Sequence, residues 1–262
     1  VIDLHTHILP GVDDGVKTDE EAVEFARVAV ADGTRTLVAT PHCKEGFFFN
    51  DRAKVLRDLE RLQELLQAES IDLKLLPGAE VYLCPDLVER VRDGRAPTLA
   101  DNGRTLLLEL SLTQYPVGLE NVVFQLKLAG IIPVFAHPER IRFFQDDIER
   151  YEAVVRLGAY GQVTTGSLTG IFGEDAEEVA EEMVRKRLVH VLASDSHNLR
   201  GRPPVLSRGL QPLASMVGDE LASRMVTEFP QALLRGQEID LPPVEVSGSR
   251  KRSFLSRLLG RG

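Results

Sequence analysis

Seven short apolar runs, each followed by a charged or amphipathic stretch, constrain this chain more than anything else in its sequence. The runs fall at 1–5, 35–40, 73–79, 105–110, 131–136, 159–164 and 188–194 and are rich in Val, Ile and Leu. Between them the pattern becomes helical. Thr18-Asp19-Glu20-Glu21 is a capping box that starts a helix running to Asp32, where Gly33 stops it. Further helices are predicted over 51–68, 86–93, 119–129, 147–157 and 175–187, and helices fill 205–235. Strict alternation of strand and helix implies parallel strands joined by helical crossovers.

The residues that close these runs are of one chemical kind. His5-Thr6-His7 ends the first, Thr40-Pro41-His42 the second and Ala136-His137-Pro138 the fifth, while Ser194-Asp195-Ser196-His197 ends the last. Glu80 follows Leu75–Ala79 and Glu109 follows Leu106–Leu108. Asp14 differs in lying within the loop after the first run. Residues two apart in a strand face the same side, so His5 with His7, and Asp195 with His197, can reach a common point. An open sheet would gather ligands at one switch point, whereas here nearly every strand contributes. A single-domain, distorted seven-stranded (β/α) barrel is therefore expected, with its site at the C-terminal ends of the strands. Imidazoles and carboxylates collected there make a many-ligand metal centre suited to hydrolysis. His190 lies near the start of its run and is read as structural.

Composition removes several classes. No apolar stretch approaches the ~20 residues of a membrane span, and no basic segment followed by an apolar run opens the chain, so a cytoplasmic enzyme is expected. Two cysteines make no disulfide framework. The net charge of −9 speaks against general nucleic-acid binding. Residues 1–236 are assigned to the barrel and 237–262 to a flexible basic tail. In the tail, Arg250, Lys251, Arg252, Arg257 and Arg261 surround Phe254, Leu255, Leu258 and Leu259. That pattern suits either a solubilising extension or a segment making peripheral contact with a membrane or a partner.

The order H-T-H, T-P-H, G-A-E, L-E-L, H-P-E-R, S-D-S-H resembles the PHP (polymerase and histidinol phosphatase) superfamily. Gly11-Val12-Asp13-Asp14-Gly15, His137-Pro138-Glu139-Arg140 and Asp195-Ser196-His197-Asn198 with Gly201-Arg202-Pro203-Pro204 narrow the resemblance to one branch. That branch is the bacterial manganese-dependent protein-tyrosine phosphatases of capsule and exopolysaccharide gene clusters, and the resemblance covers residues 1–235. It implies three divalent ions: one on His5, His7, Glu80 and Asp195, a second on Glu80, Glu109 and His137, and a third on Asp14, His42 and His197. Asp13 stays open as the alternative to Asp14. Mn is implied first, with Fe or Zn as alternatives. Arg140 and Arg202 follow ligand-bearing strand ends, and a guanidinium fork matches two phosphate oxygens.

The implied activity is hydrolysis of protein phosphotyrosine by a metal-activated hydroxide. The implied partner is a membrane-associated tyrosine autokinase controlling capsular or exopolysaccharide synthesis. The alternatives are a small-molecule phosphatase of the histidinol-phosphate type and a non-catalytic metal-binding regulatory module. Cys84 to Arg90 matches the C-x5-R spacing of cysteine-dependent phosphatases, but it contains no Gly, loses an N–H at Pro85 and adds Asp86 and Glu89, which repel phosphate. It is rejected. Cys43, beside His42, is read as a small buried side chain rather than a sulfur ligand. Phe47-Phe48-Phe49 either flanks a phosphotyrosine ring or plugs the barrel rim.

Overall fold

A computed structural model of the chain describes residues 1–241. The tail assigned from its charge pattern lies, from residue 242 on, outside the described residues. The strands are β1 (Ile2–Thr6), β2 (Thr36–Ala39), β3 (His42–Cys43), β4 (Lys74–Pro77), β5 (Glu80–Tyr82), β6 (Thr105–Glu109), β7 (Ile132–Ala136), β8 (Tyr160–Thr164) and β9 (Val191–Ala193). The helices are α1 (Asp19–Ala31), α2 (Arg52–Ala68), α3 (Leu87–Arg92), α4 (Leu119–Leu128), α5 (Arg142–Gln145), α6 (Ile148–Arg156), α7 (Glu174–Arg185), α8 (Ser207–Val217), α9 (Asp219–Arg224) and α10 (Glu228–Leu234).

Every strand pair is parallel, with a three-stranded order β1-β2-β4 and a six-stranded order β3-β5-β6-β7-β8-β9. The expected seven strands are all present, and the second and third are each followed, after a two-residue break, by a further short strand, β3 and β5, that the apolar runs did not predict. Pro41, which has no N–H to give a ladder, separates β2 from β3. Gly78 lies at the break between β4 and β5. The strand order thus splits into two sheets at one level while each broken strand runs on into the other sheet. The far ends of the order meet. Asp195 N–H donates to the His5 carbonyl and His7 N–H to the Ser196 carbonyl, both at 2.9 Å. Ser194 N–H donates to Asp3 Oδ1 at 3.0 Å.

Local sequence explains the helices that cover the strands. Thr18 Oγ1 accepts the Glu21 N–H at 3.2 Å and Glu21 Oε2 accepts the Lys17 N–H at 2.8 Å, closing the first turn of α1. Asp19, Glu20 and Glu21 oppose the positive helix end. Ala22, Phe25, Ala26 and Ala29 then form one buried face. Asp51 caps α2 by accepting the Lys54 N–H at 2.8 Å, and Val55, Leu62 and Leu66 turn inward. With helices outside, β6 and β7 are covered on both faces, which is why Leu106, Leu107, Leu108, Val134 and Phe135 are fully buried in continuous runs.

The register places the strand ends at a common level. His42 lies opposite Glu80, Tyr82 opposite Glu109, and Ala136 opposite Gln162.

Candidate metal centre

Four atoms from three places in the chain converge at the mouth of β1. His5 Nε2 lies 3.2 Å from His7 Nε2, and 3.3 Å from both Glu80 Oε2 and Asp195 Oδ1. His7 Nε2 lies 3.6 Å from Glu80 Oε2 and 3.4 Å from Asp195 Oδ1. All four side chains are buried. Ligands about 2.1 Å from one cation stand roughly 3.4 Å apart at tetrahedral angles, so the separations among His5, His7 and Glu80 are those of a coordination shell; Asp195 stands beside both histidines but outside the group whose atoms all lie within 4.8 Å of one another. Without a cation the packing is unfavourable, because two imidazole nitrogens and two carboxylate oxygens face a common point with few protons to share.

A second group joins Asp14, His42, His197 and His7, whose candidate atoms all lie within 4.8 Å of one another. Asp14 Oδ1 stands 3.4 Å from both His42 Nε2 and His197 Nε2. A third group comprises His42, Glu80 and Glu109, with His42 Nδ1 2.9 Å from Glu80 Oε2 and 3.3 Å from Glu109 Oε2. His42 therefore stands between two groups and turns one ring nitrogen to each. A neutral imidazole has one lone pair to give, so it can serve only one of them. His137 Nε2 meets the other Glu80 oxygen at 2.7 Å and is not gathered with Glu109. Cys43 joins none of the groups found among the described residues.

Unsatisfied atoms mark the same place. His42 Nδ1, Glu80 Oε2, Glu109 Oε2, His137 Nδ1, Asp195 Oδ1 and His197 Nε2 are buried without a hydrogen-bond partner among the described residues. Buried polar atoms left in this way cost ~1–3 kcal/mol each, and here divalent cations would satisfy them together. The donor set is nitrogen and oxygen with no thiolate, which suits Mn, Fe or Zn. Burial alone would raise Glu80 and Asp195, yet the neighbouring His5 charge and the histidine hydrogen bonds hold both well below the carboxylate range. Protons on the imidazoles and metal ions thus compete for the same carboxylates.

Asp13 and Asp14 point to different places. Asp14 projects into the second group. Asp13 is buried behind it, with Oδ2 2.7 Å from His7 Nδ1 and accepting the His42 N–H at 3.0 Å, and Oδ1 accepting the Gly15 N–H at 2.9 Å. It orients His7 from outside the cluster, as Gln162 orients His5 through a 2.9 Å contact at Nδ1. Gly15 lets this loop lie against β1, since a Cβ there would sit 2.3 Å from the His7 carbonyl oxygen. His137 and Asp195 adopt positive φ, 35° and 50°, a conformation costing ~1–3 kcal/mol that recurs at functional sites.

The two arginines meet at the outer oxygen of Asp195. Arg140 Nη1 is 2.7 Å from Asp195 Oδ2, and Arg202 Nη2 pairs with the same atom. Phe172 lies beneath both guanidinium groups, 4.0 Å from Arg140 Cζ and 5.3 Å from Arg202 Cζ to the ring centroid. Gly166 makes room for that ring, because a Cβ there would lie 2.5 Å from it. Arg202 Nε is buried and unpartnered. Glu139, fully buried, accepts from Thr164 N–H at 3.0 Å and from Ser167 Oγ at 2.6 Å, anchoring the turn between His137 and Arg140. Sequence reading missed the positions of Phe172, Glu139 and Gln162, and only the H-P-E-R motif had touched any of them.

The C-x5-R segment forms no anion cradle. Arg90 is held by Asp86 at 2.8 Å and Glu45 at 2.6 Å, and burial pushes the Cys84 thiol up to about 11. His190 accepts the Gly161 N–H at 3.1 Å, far from the cluster in the sheet, as a structural histidine would.

Comparison with known proteins adds to this geometry. The family described as capsular polysaccharide synthesis, CpsB/CapC, matches residues 1–235. Tyrosine-protein phosphatase YwqE of Bacillus subtilis is 36% identical over 251 residues, covering 96% of this chain and 98% of the relative. Tyrosine-protein phosphatase CpsB of Streptococcus pneumoniae is 31% identical over 248 residues, covering 91% of this chain and 100% of the relative. A crystal structure from work on YwqE and CpsB as unique metal-dependent tyrosine phosphatases superposes with a TM-score of 0.87 at 36% identity. It covers 91% of this chain and 96% of that one. A protein of Acinetobacter baumannii assigned as a 2-pyrone-4,6-dicarboxylic acid hydrolase shares the fold alone, with a TM-score of 0.54, 14% identity, and coverage of 89% and 98%.

Proposed function

The chain belongs to the CpsB/CapC family of capsular polysaccharide synthesis, and from that premise we propose that it is a metal-dependent protein-tyrosine phosphatase. The observation that carries this reading is the convergence of His5, His7, Glu80 and Asp195, with Arg140 and Arg202 gathered on the outer oxygen of Asp195. His5, His7, Glu80 and Asp195 would hold one ion, Asp14, His42 and His197 another, and Glu80 and Glu109 a third, which His137 would join by turning from the Glu80 oxygen it meets in this structure. Manganese is the ion we assign. Divalent ions there would supply a water of lowered pKa and neutralise phosphoryl charge.

The protein's own groups do the rest. Arg140 and Arg202 each spend one N–H on Asp195, so their remaining donors face a phosphate held beside the cluster. Asp195 holds both guanidinium groups through one oxygen, and Phe172 backs them. The phosphoryl charge of an in-line displacement then meets fixed cations without reorganisation. A phenol has a pKa of about 10, so tyrosine departs without a strong general acid, and none is assigned. The substrate we assign is a tyrosine autokinase associated with the cytoplasmic face of the membrane. The basic segment beyond residue 243 would bring the enzyme to it. No helix among the described residues is long and apolar enough to cross a membrane.

Purified, manganese-loaded protein tested against phosphotyrosine peptides, phosphoserine peptides and histidinol phosphate decides the reading. Preference for phosphotyrosine supports it. Preference for histidinol phosphate assigns a small-molecule phosphatase instead, and no turnover at all assigns a regulatory module.

A further inference from the structure

Next to the metal centre lies a groove that the hydrolytic chemistry does not use. Lys44 and Phe48 close a tight hairpin directly after β3, with Lys44 N–H to Phe48 O at 3.1 Å and Phe48 N–H to Lys44 O at 2.9 Å. Phe48 stacks on His42, ring centroids 5.5 Å apart and planes at 17°. The phenylalanines on either side of it do the opposite. Phe47 and Phe49 are 76% and 75% exposed. Between this hairpin and Tyr82, Leu83 and Pro85 runs a groove of about 720 Å³, within the size range of ligand sites.

Its charge is uneven in a useful way. Among the lining cations, Arg52 pairs with Asp101, Arg90 with Asp86 and Glu45, and Arg95 with Asp86 and Asp93. Lys44 has no carboxylate within 4 Å among the described residues, and its Nζ lies 3.8 Å above the Tyr82 ring centroid and 5.1 Å from that of Phe47. An ammonium held by two rings keeps its charge for an incoming anion. The groove is also continuous with the centre, because Cys43 lines it and follows His42 in β3.

We infer that this groove docks the polypeptide segment adjoining the phosphotyrosine, an apolar stretch carrying an acidic side chain that meets Lys44. A chain whose phosphate lies at the centre and which leaves on the His42 side must cross the hairpin. The two exposed rings then become buried against apolar side chains, and Lys44 gains the partner it lacks. The inference rests on the phosphotyrosine reading above.

The test uses the full, manganese-loaded chain with three substrates: p-nitrophenyl phosphate, a phosphotyrosine peptide flanked on both sides by Leu and Glu, and one flanked by Gly and Ser. Wild type should prefer the Leu/Glu peptide by about tenfold in kcat/KM, equivalent to about 1.4 kcal/mol. The double variant Phe47→Ser, Phe49→Ser should erase that preference through KM and leave p-nitrophenyl phosphate turnover at the wild-type rate. Lys44→Gln should lower only the share contributed by Glu. Wild type that turns over both peptides equally overturns the groove assignment and leaves the phosphatase reading standing. So does a variant that slows all three substrates alike. A wild type that sediments as a dimer and a double variant that sediments as a monomer would assign the rings to a second copy of the chain. Absence of turnover on every substrate removes the phosphatase reading, and the groove falls with it.

Discussion

Asp13→Asn changes one atom, and the structure says what that atom holds. Asp13 receives three contacts: His7 Nδ1 and the His42 N–H at Oδ2, and the Gly15 N–H at Oδ1. An amide offers one oxygen. Turned toward His7, it sets its NH2 against the Gly15 N–H and leaves a buried donor unmet, at ~1–3 kcal/mol. Turned toward Gly15, it sets the NH2 against His7 Nδ1, which must then accept. The imidazole proton moves to Nε2, the atom that faces His5, Glu80 and Asp195, and the lone pair a cation needs is lost. Removing an outer partner of a metal-ligating histidine costs ~10–100-fold in metal affinity. Bound manganese measured across a chelator-buffered series should show its midpoint raised by that factor, with a lower melting temperature in metal-free and metal-loaded protein alike. Asp14→Asn, by contrast, removes a half-exposed candidate ligand and should lower metal content with little change in melting without metal. Wild-type metal binding and melting in Asp13→Asn would refute the orienting role.

Arg140→Ala and Arg202→Ala should each retain bound metal yet lose transition-state stabilisation, by analogy with a deleted oxyanion donor at ~2.7–4 kcal/mol; metal content alongside kcat/KM checks both. Chelation should abolish turnover while Cys84→Ser leaves it near wild type, because burial keeps that thiol protonated. Full activity in chelator with loss in Cys84→Ser would reverse the chemistry. Burial pushes His190 down to about 4 from 6.5, so between those values the unfolded chain binds more protons and stability falls as pH drops, by roughly 3 kcal/mol at most. His190→Asn keeps an acceptor for the Gly161 N–H and should flatten that fall in denaturant titrations at pH 4.5 and 7.5. Asp3, pushed up to about 6 by burial, acts in the opposite sense over its own range but equally in both proteins, so the difference between them isolates His190.

The strand ends were legible because a strand has period two and the ligand types are rare. His5 and His7 announce themselves two positions apart; Asp195 and His197 repeat the spacing but lie beyond β9, with Asp195 at a positive φ, so for them the rare residue types were the signal. The groups that hold them in place were not legible. Gln162 reaches His5 from 157 positions away, and Phe172 meets Arg140 and Arg202 only because β8 lies between β7 and β9. Nothing in the local pattern around Phe172 differs from that of a loop aromatic. Asp13 and Asp14 were indistinguishable because adjacent residues in a loop carry no periodicity, and only the contacts of Asp13 with His7 and Gly15 separate them. The short strands β3 and β5 were not legible because they lie past the ends of the apolar runs, beyond Pro41, which cannot donate in a central ladder, and Gly78. His42 is where the sequence-based grouping is least complete. Its position at a strand end was plain, whereas its placement between Asp14 and Glu80 depends on the register of β3 with β5.

The hydrogen bonds that tie Asp3, His5 and His7 to Ser194, Asp195 and Ser196 join positions as much as 191 residues apart. A nascent chain therefore carries these two histidines long before it carries their partners, which follow only after most of the strands have been made. Contacts of such long sequence separation form late, after the costliest loop has closed. A cation held on His5, His7 and Asp195 would bridge the first and last strands as a clasp, adding stability in proportion to the logarithm of its free concentration. Starvation for metal would thus loosen the molecule along this seam before any other, and a protease would find that opening first.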